Sequence, residues 1–208
     1  MSGQSISDHM YFWVRRLYAP VGMIFSLSFL VLYMMPMSAA ISGAQPFDGF
    51  MGFVNSLPIY TLFEVLFIAV PLVMHIALTI ISLYTSSFNV INYGFYGNWM
   101  YLVRILASIY IIPFAVYFFV ITNFSSSFVH GYADYAFIQN LLSTMGMKIF
   151  YVIGVASISL YFTMSVSAFL FEWGITSSKI SRSYVSILMW LVGIIIAIWS
   201  ERIILSFF

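Results

Sequence analysis

The sequence predicts an all-α integral membrane bundle of five transmembrane helices, and three observations carry that prediction. Of the 208 residues, 63% are hydrophobic and only 6% are charged, against about 25% charged in a soluble domain. The mean hydropathy is +1.05. Five stretches are each long enough to cross a hydrocarbon core of about 30 Å, which takes roughly 20 apolar residues. A chain so poor in charge cannot cover a water-facing surface, so lipid is its solvent over most of its area.

The spans follow in order. The first runs near Leu17–Ile41, behind a polar start, Met1 to Trp13, that lacks the basic and apolar regions of a removable signal peptide. The second runs near Leu57–Leu83, the third near Trp99–Thr122, the fourth near Leu141–Phe171 and the fifth near Tyr184–Phe208. The second and fourth are long and must tilt or project beyond the bilayer. Pro36, Pro71 and Pro113 fall inside spans and are candidate kink positions. Short connections with turn chemistry, such as Ser42-Gly43-Ala44-Gln45-Pro46 and Asn92-Tyr93-Gly94, read as loops. No connection is long enough for a second domain, so residues 1–208 read as one transmembrane domain.

Composition also excludes functions. There are no cysteines, hence no disulfides, thiolate metal sites or chain-borne iron–sulfur clusters. A net charge of +1 leaves no basic face for nucleic acid. The basic residues set an orientation. Arg15 and Arg16 precede the first span, Arg104 sits just inside the third, and Lys179 and Arg182 lie between the fourth and fifth. The sequence therefore predicts a cytoplasmic N-terminus and an outer C-terminus, with Lys148 and Arg202 as an outer minority.

A charged side chain at a span centre costs about 2.5–3.5 kcal/mol on insertion scales, so each needs a partner or a purpose. Glu64 and Lys148 stand at similar depth near the outer ends of the second and fourth spans, and read as an intramembrane ion pair; independent snorkelling is the alternative. Glu201 and Arg202 form another couple late in the fifth span. His75 is the only histidine inside a span. It faces the same side as Glu64, about 16 Å away along the axis. It reads either as a cofactor ligand or as a hydrogen-bonding residue between helices. His9 and His130 lie outside the spans, so a bis-histidine haem cannot be assembled from this chain.

Several short motifs stand in a telling order. Arg15-Arg16-Leu17 leads into the first span. Asn55-Ser56-Leu57-Pro58 leads into the second, followed by Glu64 and His75. Asn98-Trp99-Met100 opens the third, and Trp173-Gly174-Ile175-Thr176 closes the fourth. In this order and spacing, over nearly the whole chain, they resemble the cytochrome b558 membrane-anchor subunit of succinate:quinone oxidoreductase (respiratory complex II, succinate dehydrogenase or fumarate reductase), in its single-chain five-helix form. The resemblance implies a multi-pass protein of the bacterial cytoplasmic membrane. It implies a flavoprotein subunit bearing FAD and an iron–sulfur subunit docked on the cytoplasmic side, with lipid around the spans. It further implies a quinone, menaquinone first among them, as electron acceptor, and leaves open an oligomer of the whole complex.

The family's usual pattern is two b haems, with axial histidines from the second and fourth helices and from the first and third. Here only His75 matches. Its partner position reads Tyr161, and the other two read Tyr33 and Phe118; the histidine often found after the double arginine is replaced by Tyr18. A haem-free bundle is the expectation, since aromatic side chains refill space that would otherwise cost about 24 cal/mol per Å³ as voids. At most one haem, on His75 with Tyr161, remains compatible, because tyrosine ligates haem iron in catalase. Arg16 and Tyr18, with His75 deeper, are the candidate quinone-binding residues. Arg15, Lys179 and Arg182 are the candidate docking residues, with plain positive-inside anchoring as the alternative. Two rival functions remain: a structural anchor without quinone chemistry, and a small transporter using Glu64 and Lys148.

Overall fold

The fold is given by a computed structural model that describes residues 2–85, 90–125 and 131–208, with side chains from Phe12 onward apart from Arg15. Five helices are long and apolar enough to cross a membrane: Phe12–Ser42, Pro58–Thr85, Tyr96–Ser125, Met145–Glu172 and Lys179–Leu205. We call α1 the helix beginning at Ser2–Phe29, α2 Ala44–Ser56, α3 Pro58–Thr85, α4 Tyr96–Val120, α5 Tyr135–Leu141, α6 Met145–Glu172 and α7 Lys179–Leu205. No strand occurs among the described residues.

Helices α1, α3, α4 and α6 form a four-cornered bundle. Neighbouring pairs are α1 with α3, α3 with α4, α4 with α6, and α6 with α1; α7 packs on α6 from outside. In lipid there is little hydrophobic drive between helices, so packing and interhelical hydrogen bonds hold such a bundle. Its core is aromatic: Tyr18, Phe25, Phe29, Phe114, Phe118, Tyr151 and Tyr161 are among the largest fully buried side chains.

Prolines explain two local irregularities. Pro36 has no N–H to donate, and the helix widens into a π turn at Leu30–Met34 just before it. The freed Leu32 carbonyl accepts the Tyr60 hydroxyl of α3 at 2.9 Å, as membrane helices require. A second π turn, Val65–Ala69, precedes Pro71. Pro113 lies within a continuous α4, so the kink expected there is not matched by a comparable turn.

Other boundaries shift for identifiable reasons. The connection read as a loop at residues 42–46 leads at once into helix α2. The fourth span starts at Met145, because Thr144 accepts the Met147 N–H and opens a new helix; Leu141 belongs to α5. The fifth span starts at Lys179, where Ser178 accepts the Ser181 N–H at 3.0 Å. At the end remote from Arg16, Asp48 of α2 accepts the Tyr135 N–H at 2.7 Å and the Tyr135 hydroxyl donates to the Ser206 carbonyl at 2.6 Å. Those bonds fasten α2, α5 and the chain's last residues together.

Candidate functional site

The end of the bundle that carries Arg16, Lys179 and Arg182 holds a cavity of about 490 Å³, lined by Phe12, Arg16, Tyr18, Ser82, Tyr101, Arg104 and Glu172. Two of the three quinone candidates from the sequence, Arg16 and Tyr18, meet here. Arg16 is placed by Trp173: its guanidinium lies 4.9 Å from that ring, and the Trp173 indole N–H donates to the Arg16 carbonyl at 3.3 Å. Tyr18 is 2% exposed and its hydroxyl has no hydrogen-bond partner in the described structure. Arg104 is 5% exposed. Its Nη2 reaches Glu172 Oε1 at 3.5 Å, and its guanidinium lies 5.1 Å from the Tyr18 ring. Its Nε has no partner. The residues that line the cavity thus include two buried donors without a partner, the Tyr18 hydroxyl and the Arg104 Nε–H.

His75 sits one layer deeper and lines neither large cavity. Its ring is stacked against Tyr18 and Phe25, at 5.8 and 5.6 Å, and meets Tyr161 edge-on at 5.0 Å. Its Nε2 is hydrogen-bonded to Ser108 Oγ at 2.9 Å, and Ser108 to Thr79 Oγ1 at 2.7 Å. This chain ties α3 to α4. The hydrogen-bonding reading of His75 is therefore realised in the geometry.

The second aromatic layer lies towards the other end. Tyr33 meets Phe118 at 4.9 Å, with Phe29 at 5.2 Å from Tyr33 and 5.1 Å from Phe118. His75 and Tyr161 face each other across one diagonal of the bundle, α3 to α6. Tyr33 and Phe118 face each other across the other, α1 to α4.

The Glu64–Lys148 ion pair does not form. Their helices stand at opposite corners of the bundle. Glu64 is buried and accepts a long hydrogen bond from Asn123 Nδ2 at 3.5 Å, beside Tyr33. The Lys148 ammonium lies 4.4 Å from the Phe208 ring. Among the described residues the ion pair is Arg104–Glu172. Glu201 does not pair with Arg202 either: its Oε1 is buried without a partner, while Arg202 is exposed. The docking candidates divide. Lys179 and Arg182 are exposed at the Arg16 end, Arg182 Nε donating to the Thr176 carbonyl at 3.1 Å. The Arg15 side chain, the His9 side chain and His130 lie outside what the structure describes.

Sequence reasoning missed the site role of Arg104 and its partner Glu172, and with them Ser108 and Thr79. Arg104 was legible only as part of the charge asymmetry. Its signal is depth: it stands two turns inside an apolar helix, where an unpaired guanidinium is costly.

A four-cornered bundle of apolar helices with buried aromatic layers and a fifth helix outside defines a multi-pass helical membrane protein. Compared with known proteins, the chain is 27% identical over 188 residues to the succinate dehydrogenase cytochrome b558 subunit of Bacillus subtilis, a match that covers 88% of this chain and 92% of that one. No family model matches the chain, and no solved structure does. The match bears out the resemblance read from the sequence: the chain is similar to a succinate dehydrogenase cytochrome b membrane subunit, and is a multi-pass bacterial membrane protein.

The match raises the question of whether these residues fit a b haem. They do not. A b haem held by both His75 and Tyr161 would need the two side chains to reach one iron between them, with room for a flat macrocycle. His75 and Tyr161 instead touch at an interplanar angle of 66°. Rings of this chain also press directly on two glycines of the bundle. A Cβ on Gly22 would collide with the Tyr161 phenol, and one on Gly154 with the Phe114 ring.

Proposed function

We propose that this chain is the membrane anchor of a succinate:quinone oxidoreductase and forms its quinone site at the Arg16 end of the bundle, without the family's usual haems. The observation that carries the proposal is the 490 Å³ cavity, which has the size of a small-molecule site, about 300–1,000 Å³, and gathers Arg16, Tyr18 and Arg104. A quinone carbonyl accepts hydrogen bonds, and these groups donate them. His75 acts as a positioning residue: stacked on Tyr18 and held by Ser108, it fixes the phenol at the cavity wall.

The Arg16 end is the cytoplasmic end under the positive-inside rule. A flavoprotein subunit and an iron–sulfur subunit dock there, with exposed Lys179 and Arg182 facing an acidic patch on the iron–sulfur partner. Succinate is oxidised on the flavoprotein, and the electrons reach menaquinone through the partner's clusters. With haem positions taken by aromatic rings, electrons stay on one side of the bilayer and turnover does not respond to the membrane potential.

Tyr18→Phe and Arg16→Gln in the full complex test this reading. A hydrogen bond to a charged group is worth about 1.5–3 kcal/mol and a neutral one about 0.5–1.5. Quinone reduction is thus expected to fall about tenfold or more for Arg16→Gln and severalfold for Tyr18→Phe, with subunit assembly and succinate oxidation by a soluble dye intact. Unchanged quinone reduction in both variants would leave only a structural anchor.

A further inference from the structure

A second cavity of about 450 Å³ lies between α4, α6 and α7. Arg104 and Glu172 line it, and both also line the cavity at Arg16 and Tyr18. We infer that the two cavities are halves of one passage: the quinone enters from the lipid between α4 and α7, and the Arg104–Glu172 pair is the gate it crosses to reach Tyr18. The inference rests on the quinone reading above and adds its route.

Three observations support it. The two cavities share Tyr101, Arg104 and Glu172 as their common wall; within it the Arg104–Glu172 ion pair is long, at 3.5 Å, and Arg104 Nε, buried and without a partner, can follow an incoming carbonyl acceptor. The second cavity suits the occupant. Met100, Met164, Met189 and Phe171 supply adaptable apolar surface for a prenylated ring, while Arg104 supplies the polar donor. The mouth is weakly closed. α7 buries no residue before Gly193. Gly193 presses on Thr163 of α6 so closely that a Cβ would lie 2.7 Å from its Cγ2. Between Lys179 and that contact its residues are half-buried or exposed, and across the mouth the Trp190 indole N–H, donating to the Tyr96 hydroxyl at 2.8 Å, bridges α7 to α4.

The test uses the assembled complex in its membrane. Ala168→Trp fills the second cavity without touching Arg16 or Tyr18; Leu188→Trp places the same ring on an exposed position of α7. With a long-chain menaquinone as acceptor, Ala168→Trp is expected to raise KM about tenfold or more and Leu188→Trp less than about twofold, with soluble-dye reduction unchanged in both. An unchanged KM in Ala168→Trp overturns the route. If Tyr18→Phe still impairs the same assay, the quinone site stands and only the route falls; if neither variant has an effect, both fall. Because a tryptophan can prevent assembly, a photoreactive azido-quinone on the unaltered complex gives a second readout. Labelling of α6 or α7 between residues 163 and 190 supports the passage; labelling confined to α1 overturns it.

Discussion

Gly22 and Tyr161 give the sharpest handle on the packing of the aromatic core. A Cβ at Gly22 falls on the phenol of Tyr161, which is fully buried and boxed in by His75 and Tyr18 at 5.0 and 6.5 Å. Gly22→Ala therefore overpacks the core, a class of change that costs about 1–3 kcal/mol. Tyr161→Ala does the opposite: it removes roughly 100 Å³, which at about 24 cal/mol per Å³ costs about 2.4 kcal/mol. In the double variant the added methyl enters the space the phenol vacated, and Ala replaces Gly in a helix, a change worth up to about 1 kcal/mol in favour of folding. The two substitutions should then couple by about 2 kcal/mol or more, with Gly22→Ala destabilising the native chain and stabilising the Tyr161→Ala chain. Unfolding of the purified protein by detergent titration in mixed micelles measures all four corners of the cycle. Additivity within about 0.5 kcal/mol would mean that the phenol does not lie on Gly22, and the refilled-core argument would fail at this layer.

Further outcomes follow from the polar contacts. Ser108→Ala breaks the Thr79–Ser108–His75 chain and leaves His75 Nε2 buried without a partner, so a loss of about 1–3 kcal/mol is expected in the same titration. Glu64→Gln and Lys148→Met should be additive within about 0.5 kcal/mol, as for independent sites; a coupling above about 1 kcal/mol would restore the ion pair that the bundle geometry separates. A reporter fused after Phe208 should be active as a periplasmic phosphatase and dark as a fluorescent protein, and the reverse pattern would invert the orientation drawn from the basic residues.

How much of this was legible beforehand depends on what kind of signal each feature leaves. Five spans were legible because length and hydropathy are local and lipid demands both. Their ends were less so: Ser178 and Thr144 act as helix caps inside stretches whose hydropathy barely changes. Helix α2 hid behind Gly43 and Pro46, which punctuate a turn before the helix as readily as a loop. The diagonal pairings His75–Tyr161 and Tyr33–Phe118 were legible only through the resemblance, since nothing in one sequence says which helices are opposite. The same ignorance produced the Glu64–Lys148 pair: it was read from depth, and depth alone cannot tell a neighbour from a diagonal. Arg104 went unrecognised as a site residue because a guanidinium near a span end counts equally well as an orientation signal. Its partner Glu172 and its unused Nε emerge only once α4 and α6 are side by side.

The central claim is that aromatic side chains of this chain occupy the positions a related cytochrome would give to haem. A reduced-minus-oxidised absorbance spectrum of the purified complex, with haem extracted and quantified as its pyridine adduct, tests it most directly. The account expects no b-type α-band and far less than one haem per complex, in a preparation that still reduces quinone with succinate. A stoichiometric b-type band that disappears in His75→Leu would contradict it.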